Sequence, residues 1–118
     1  MNIDVDKSKE KITKMIDDGN KPRMAMFGGS LFLFPHPMKE LKDFLLSHDI
    51  FICYDSAHVS GLIAGKQFQD PLREGAETMT LSTHKTLPGP QGGMVLSFDK
   101  YADDIKKSVF PGLSLIHI

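Results

Sequence analysis

This 118-residue chain has one cysteine, Cys53. An intrachain disulfide is therefore excluded, and so is a cysteine-built structural zinc site. An excess of charge is also lacking: 14 Lys and Arg stand against 15 Asp and Glu, a net of -1. That balance gives no electrostatic case for a nucleic acid or an anionic membrane surface as partner. No stretch approaches the ~20 apolar residues that a membrane-spanning helix needs. The opening residues, Met1-Asn2-Ile3-Asp4-Val5-Asp6, carry neither the basic flank nor the apolar core of a secretory signal. Repeats and low-complexity tracts are absent. His36, His48, His58 and His84 show no paired metal-ligand spacing, so no metal site is expected. Gly28-Gly29-Ser30 lacks the further glycine and the lysine of a phosphate loop. The expectation is a soluble cytoplasmic protein, long enough for one small domain with its own core.

What is there is a regular alternation of elements. Residues 7–18 predict a helix, with Ile12, Met15 and Ile16 on one face and a stop at Gly19-Asn20. Residues 23–27 predict a strand running into Gly28-Gly29-Ser30, with Met24 and Met26 in the core. The apolar run Leu31 to Phe34 is broken by Pro35 and Pro37, which predicts a loop packed on the core. Residues 38–47 predict a helix burying Met38, Leu41, Phe44 and Leu45. Residues 50–54 are continuously apolar, the pattern of a central parallel strand covered on both faces. A short helix or turn at 59–65 and strands at 76–81 and 93–98 follow. Asp99 is the expected N-cap of a last helix at 100–109, with Tyr101, Ile105 and Val109 spaced by four. Strands alternating with helices predict an α/β fold, a three-layer partial sheet.

In such sheets ligands gather beyond the carboxyl ends of the strands. Ser30, Asp55 and Lys85 each follow a predicted strand end, so they should converge on one crevice. Lys85 lies in Ser82-Thr83-His84-Lys85-Thr86-Leu87-Pro88-Gly89-Pro90-Gln91-Gly92-Gly93, and Asp55 in Tyr54-Asp55-Ser56-Ala57-His58. A lysine that forms an imine and an acid that holds a pyridinium nitrogen are the two groups needed to harness pyridoxal phosphate. Each residue also has a plainer reading. Lys85 fits a surface turn, Asp55 a turn acid, and Ser30 a turn serine. His58 and His84 fit neutral interior histidines, and Ala57 fits a small core residue.

The two motifs together resemble serine hydroxymethyltransferase, a pyridoxal-phosphate enzyme of fold type I, from about Lys21 to Gly112. The resemblance implies a role for each matching residue. Lys85 carries the cofactor as an imine, and Asp55 pairs with the pyridine nitrogen. His58 and Ser30 lie near the phenolic oxygen, Ala57 packs on the ring, and His84 and Ser82 stand beside the lysine. Lys85, His58 and Asp55 would be the catalytic set. Ser82 stands where threonine is usual. Gln91 replaces a frequent arginine, which leaves the electrostatics there in question. The implied activity is the interconversion of serine and glycine, with a one-carbon unit passed to tetrahydrofolate by a homodimer or tetramer. Another fold type I enzyme, an aldolase or a folate-independent transferase, is the alternative. A further alternative is a truncated, inactive fragment.

The resemblance also implies parts absent from these residues: a phosphate loop, a group stacking on the outer ring face, and an arginine for the substrate carboxylate. Residues 1–112 are accordingly expected to be a piece of the large cofactor-binding domain, inactive alone, with raw sheet edges. Met1 is expected to be an internal methionine. The final Leu113-Ser114-Leu115-Ile116-His117-Ile118 reads as the translation of a sequencing-library adapter, a non-native tail.

Overall fold

The computed structural model describes residues 2–30 and 32–112. The expected tail at 113–118 lies outside the described residues, as do Met1 and Leu31. The first helix, α1 (Val5–Asp17), begins where the Asp4 carboxylate accepts the N–H of Lys7 at 3.0 Å. It ends at Gly19, whose φ of +78° suits a residue without a Cβ. Strand β1 (Met24–Gly28) follows, then α2 (Met38–Ser47), β2 (Phe51–Asp55) and α3 (Ser60–Ala64). A single turn, α4 (Pro71–Glu74), precedes β3 (Thr78–Ser82) and β4 (Gly93–Ser97). A 3-10 turn at Asp99–Tyr101 leads into α5 (Ala102–Lys107).

The strands form one sheet in the order β1-β2-β3-β4. The first three are parallel, with Gly28 level with Asp55 and Asp55 level with Thr80. Strand β4 runs antiparallel to β3, with Ser82 opposite Gly93. The reversal follows from the connection between them, a loop with no crossover helix. The expected α/β three-layer arrangement is present, with unequal layers. Helices α1 to α4 cover one face. There Phe27, Ile52, Tyr54, Met79 and Leu81 meet Met38, Leu41, Leu45 and Val59 in the core. Each such buried side chain contributes about 1.5–3 kcal/mol of transfer free energy. On the other face Tyr101, ahead of α5, sets its ring edge-on to Phe51 at 5.1 Å.

Two expectations need correction, and one short helix was not expected. Met24 and Met26 are not core: they are 52% and 59% exposed. Strand β1 is an edge strand, and these side chains lie on the face opposite Phe27, away from α1 to α4. Asp99 does not cap a helix. Phe98 holds the cap position with extended backbone, and Asp99 opens the 3-10 turn. The last helix does reach Val109, α5 continuing into a π turn at Ser108–Gly112 that is interrupted at Phe110, which is extended at φ -142° and ψ 120°. Pro111 enforces this, since its ring disfavours helical backbone in the preceding residue. Helix α4 was not foreseen, although Asp70-Pro71 is a capping pair and the Asp70 side chain accepts from Arg73 N–H.

Of the loop expected to pack on the core, Phe32 does so, while Leu33 and Phe34 are exposed. Helix α2 matches its expected bounds and buries Met38, Leu41 and Leu45, with Phe44 partly covered. Strand β2 is central, with Ile52, Cys53 and Tyr54 all buried.

Candidate active site

Three turns meet at the carboxyl end of the parallel strands. The first leaves β1 at Gly28. Its φ is +84°, and a Cβ there would stand 1.9 Å from the Asp55 carbonyl oxygen. Only glycine allows this approach. Gly29 N–H then donates to the same Asp55 carbonyl at 3.2 Å. Ser30, two residues past the strand end, is exposed.

The second turn carries the acid. Asp55 closes β2, half-buried, and its Oδ1 accepts Ala57 N–H at 2.9 Å. This Asx turn holds the carboxylate to its own backbone. Ser56 is fully buried, and both its N–H (2.8 Å) and its hydroxyl (2.9 Å) donate to the Thr80 carbonyl of β3. The acid is therefore fixed by both flanking strands. Ala57 and His58 follow, half-buried. His58 Nδ1 is buried and has no hydrogen-bond partner among the described residues. A buried imidazole nitrogen left open is costly unless something else fills the hydrogen bond.

The third turn carries the amine. Ser82 ends β3, half-buried, and His84 and Lys85 are exposed beyond it. The root of this loop is closed by Thr83 N–H donating to the Gly92 carbonyl at 3.0 Å. Thr83 Oγ1 donates to the Pro90 carbonyl at 2.7 Å. Gly92 N–H reaches His84 Nδ1 at 3.4 Å.

Thr86 joins the second and third turns. Its hydroxyl donates to the His58 carbonyl at 2.7 Å and accepts Gly61 N–H at 3.1 Å. Gly61 makes room for this, because a Cβ there would lie 2.1 Å from the Thr86 carbonyl oxygen. The residue after the lysine is thus bonded to the turn that holds the acid. Ser30, Asp55, Ala57, His58, Ser82, His84 and Lys85 all lie at this one end of the sheet.

The family model described as Serine hydroxymethyltransferase matches residues 1–114. The chain belongs to the serine hydroxymethyltransferase family. Among curated members of the family, the serine hydroxymethyltransferase of Nitrosopumilus maritimus is 63% identical over 117 residues. That match takes in 99% of this chain and 27% of the relative. The Cenarchaeum symbiosum protein is 62% identical over 117 residues, with 99% of this chain and 26% of the relative covered. That of Pyrococcus furiosus is 53% identical over 121 residues, with 98% and 27% covered. The chain spans about a quarter of the length of these relatives. No helix among the described residues is long and apolar enough to cross a membrane.

The donor set fits the family's cofactor, pyridoxal phosphate: a reachable amine, a fixed carboxylate, hydroxyls, and a buried imidazole nitrogen with an unfilled hydrogen bond. Sequence reasoning assigned no role to Thr86, Ser56 or His36. Thr86 was in plain view beside the lysine, but its partners, His58 and Gly61, are distant in sequence. Ser56 was hidden because burial of a serine has no local signature. His36 accepts the Gly28 N–H at 3.0 Å, a contact set by the loop alone.

Proposed function

We propose that the full-length protein interconverts serine and glycine and passes the one-carbon unit to tetrahydrofolate, using pyridoxal phosphate. Family membership supports this reading. The observation that carries it is the Thr86 bridge, which couples the lysine loop to the aspartate turn.

Lys85 would hold the cofactor covalently through its amine. Asp55, fixed by the Ala57 N–H, would face the pyridine nitrogen and keep a proton on it. His58 and Ser30 would hydrogen-bond the phenolic oxygen, and Ala57 would lie against the ring. Ser82 and His84 would contact the cofactor beside the lysine. When bound, the cofactor supplies an electron sink for bond cleavage at the amino acid's α-carbon. The chain's own task is orientation and charge placement. Residues 1–112 would be part of the large cofactor-binding domain of a homodimer or tetramer. The reading carries with it the family's cytoplasmic setting.

The test uses the full-length protein. Serine turnover is measured with and without tetrahydrofolate, and cofactor absorbance is measured before and after Lys85→Ala. Folate-dependent glycine formation is expected, with loss of both activity and the bound-cofactor band in the variant. Equal turnover without tetrahydrofolate, or an unchanged band in Lys85→Ala, would overturn the assignment.

A further inference from the structure

Two prolines flank His36, and its backbone is gripped by one buried side chain. Gln69 Oε1 accepts the His36 N–H at 2.7 Å, and Gln69 Nε2 donates to the His36 carbonyl at 3.2 Å. The same amide accepts the Tyr54 hydroxyl at 3.0 Å and donates to Glu74 Oε2 at 2.7 Å. These partners fix which way the amide points: reversed, its oxygen would face a carbonyl and a carboxylate. The His36 ring is packed by Phe32, with centroids 4.5 Å apart, and stands near Phe27 and Tyr54.

The ring's Nδ1 lies 3.0 Å from Gly28 N. A backbone N–H only donates, so Nδ1 must be unprotonated and the proton must sit on Nε2. Burial pushes the His36 pKa down, in the same direction. Gly28 in turn touches the Asp55 carbonyl, and Gly29 donates to it. A continuous line of contacts runs from Gln69 through His36 and Gly28 to the backbone of the acid.

We propose that His36 is a positioning residue: a neutral imidazole, clamped by Gln69, that sets the Gly28-Gly29-Ser30 turn against Asp55 and so preforms the cofactor's binding end of the sheet. This rests on the function proposed above, and one of its readouts needs no cofactor. The role belongs to the acceptor atom, not to the ring's bulk. Asparagine places an acceptor near the Nδ1 position, whereas phenylalanine keeps only the bulk.

In the full-length protein, His36→Phe should weaken pyridoxal phosphate retention roughly tenfold, the effect of losing about one buried hydrogen bond. It should also speed amide hydrogen exchange at residues 28–30 in the cofactor-free protein. His36→Asn should stay within about twofold of the parent on both measures. If His36→Phe matches the parent in both, or His36→Asn is as damaging as His36→Phe, the proposal is wrong. Nitrogen NMR of the unmodified protein gives a check that does not depend on any variant folding. A proton on Nε2 is expected, and a proton on Nδ1 would overturn the proposal. Should the parent hold no cofactor, the functional reading fails alone, and the exchange and NMR results still decide the role of His36.

Discussion

The turn that carries Asp55 and the loop that carries Lys85 are neighbours built in opposite ways. From Asp55 to Ser60 the chain is half-buried or buried, and Ser56 alone makes two bonds to Thr80. From His84 to Gly93 it is exposed except at Leu87, and Thr86 supplies its ties to the acid turn. A carboxylate meant to stabilise charge gains from being immobile, since no reorganisation is then needed as charge develops. An amine meant to engage a small molecule must be reachable. The difference between the two turns follows the difference between their proposed tasks.

This contrast can be broken hardest at the acid. Asp55→Asn in the full-length protein keeps the Asx turn's shape and removes its charge. Serine turnover should fall by about a hundredfold or more with little change in melting temperature. Gly28→Ala attacks the same turn through its backbone. Left-handed backbone alone costs about 1–3 kcal/mol for a residue with a Cβ, and the contact with the Asp55 carbonyl adds to it. Thermal unfolding should show a clear drop in midpoint.

Thr86→Val sharpens the comparison from the other side. It removes both bonds between the lysine loop and the acid turn, at a cost of about 1–2 kcal/mol. Its effect should fall on cofactor retention more than on the melting temperature, because the loop is exposed and the core is elsewhere.

The smallest expected effect is a pH dependence. The His36 pKa is lowered from 6.5 by burial, so its contribution to stability is complete above about pH 6.5. That contribution is lost as pH falls through the folded value, because the unfolded chain takes up the proton first. The groups around the ring add no positive charge. Phe27 and Phe32 are neutral, Gln69 is an amide, and burial pushes the Tyr54 pKa up, with the Glu74 and Asp55 carboxylates pushing the same way. His36→Asn should therefore flatten the melting-temperature profile below pH 6.5 relative to the parent.

Much of this was legible in the sequence where the signal was local. The apolar spacing of Met38, Leu41 and Leu45 gave α2 its bounds, and the unbroken Ile52-Cys53-Tyr54 run marked a central strand. That Ser30, Asp55 and Lys85 stand at the same end of the sheet followed from their positions after strands. What escaped depends on long-range placement. Met24 and Met26 have core composition but lie on the open face of an edge strand. Asp99 has the right chemistry for a cap but the wrong backbone position. The Gln69 clamp on His36 joins residues 33 apart, and no periodicity reports it.

Because β4 returns along β3, the segment between Thr83 and Gly92 is stapled shut where it leaves the sheet. Its feet are held at Thr83 and Gly92, and its crown is tied again where the Thr86 hydroxyl meets His58 and Gly61, so Lys85 sits between two anchors. Lengthening or shortening that crown would change where an amine can arrive while leaving the sheet beneath it whole. The stretch from Thr83 to Thr86 is thus a short tether for the amine, held at both of its ends.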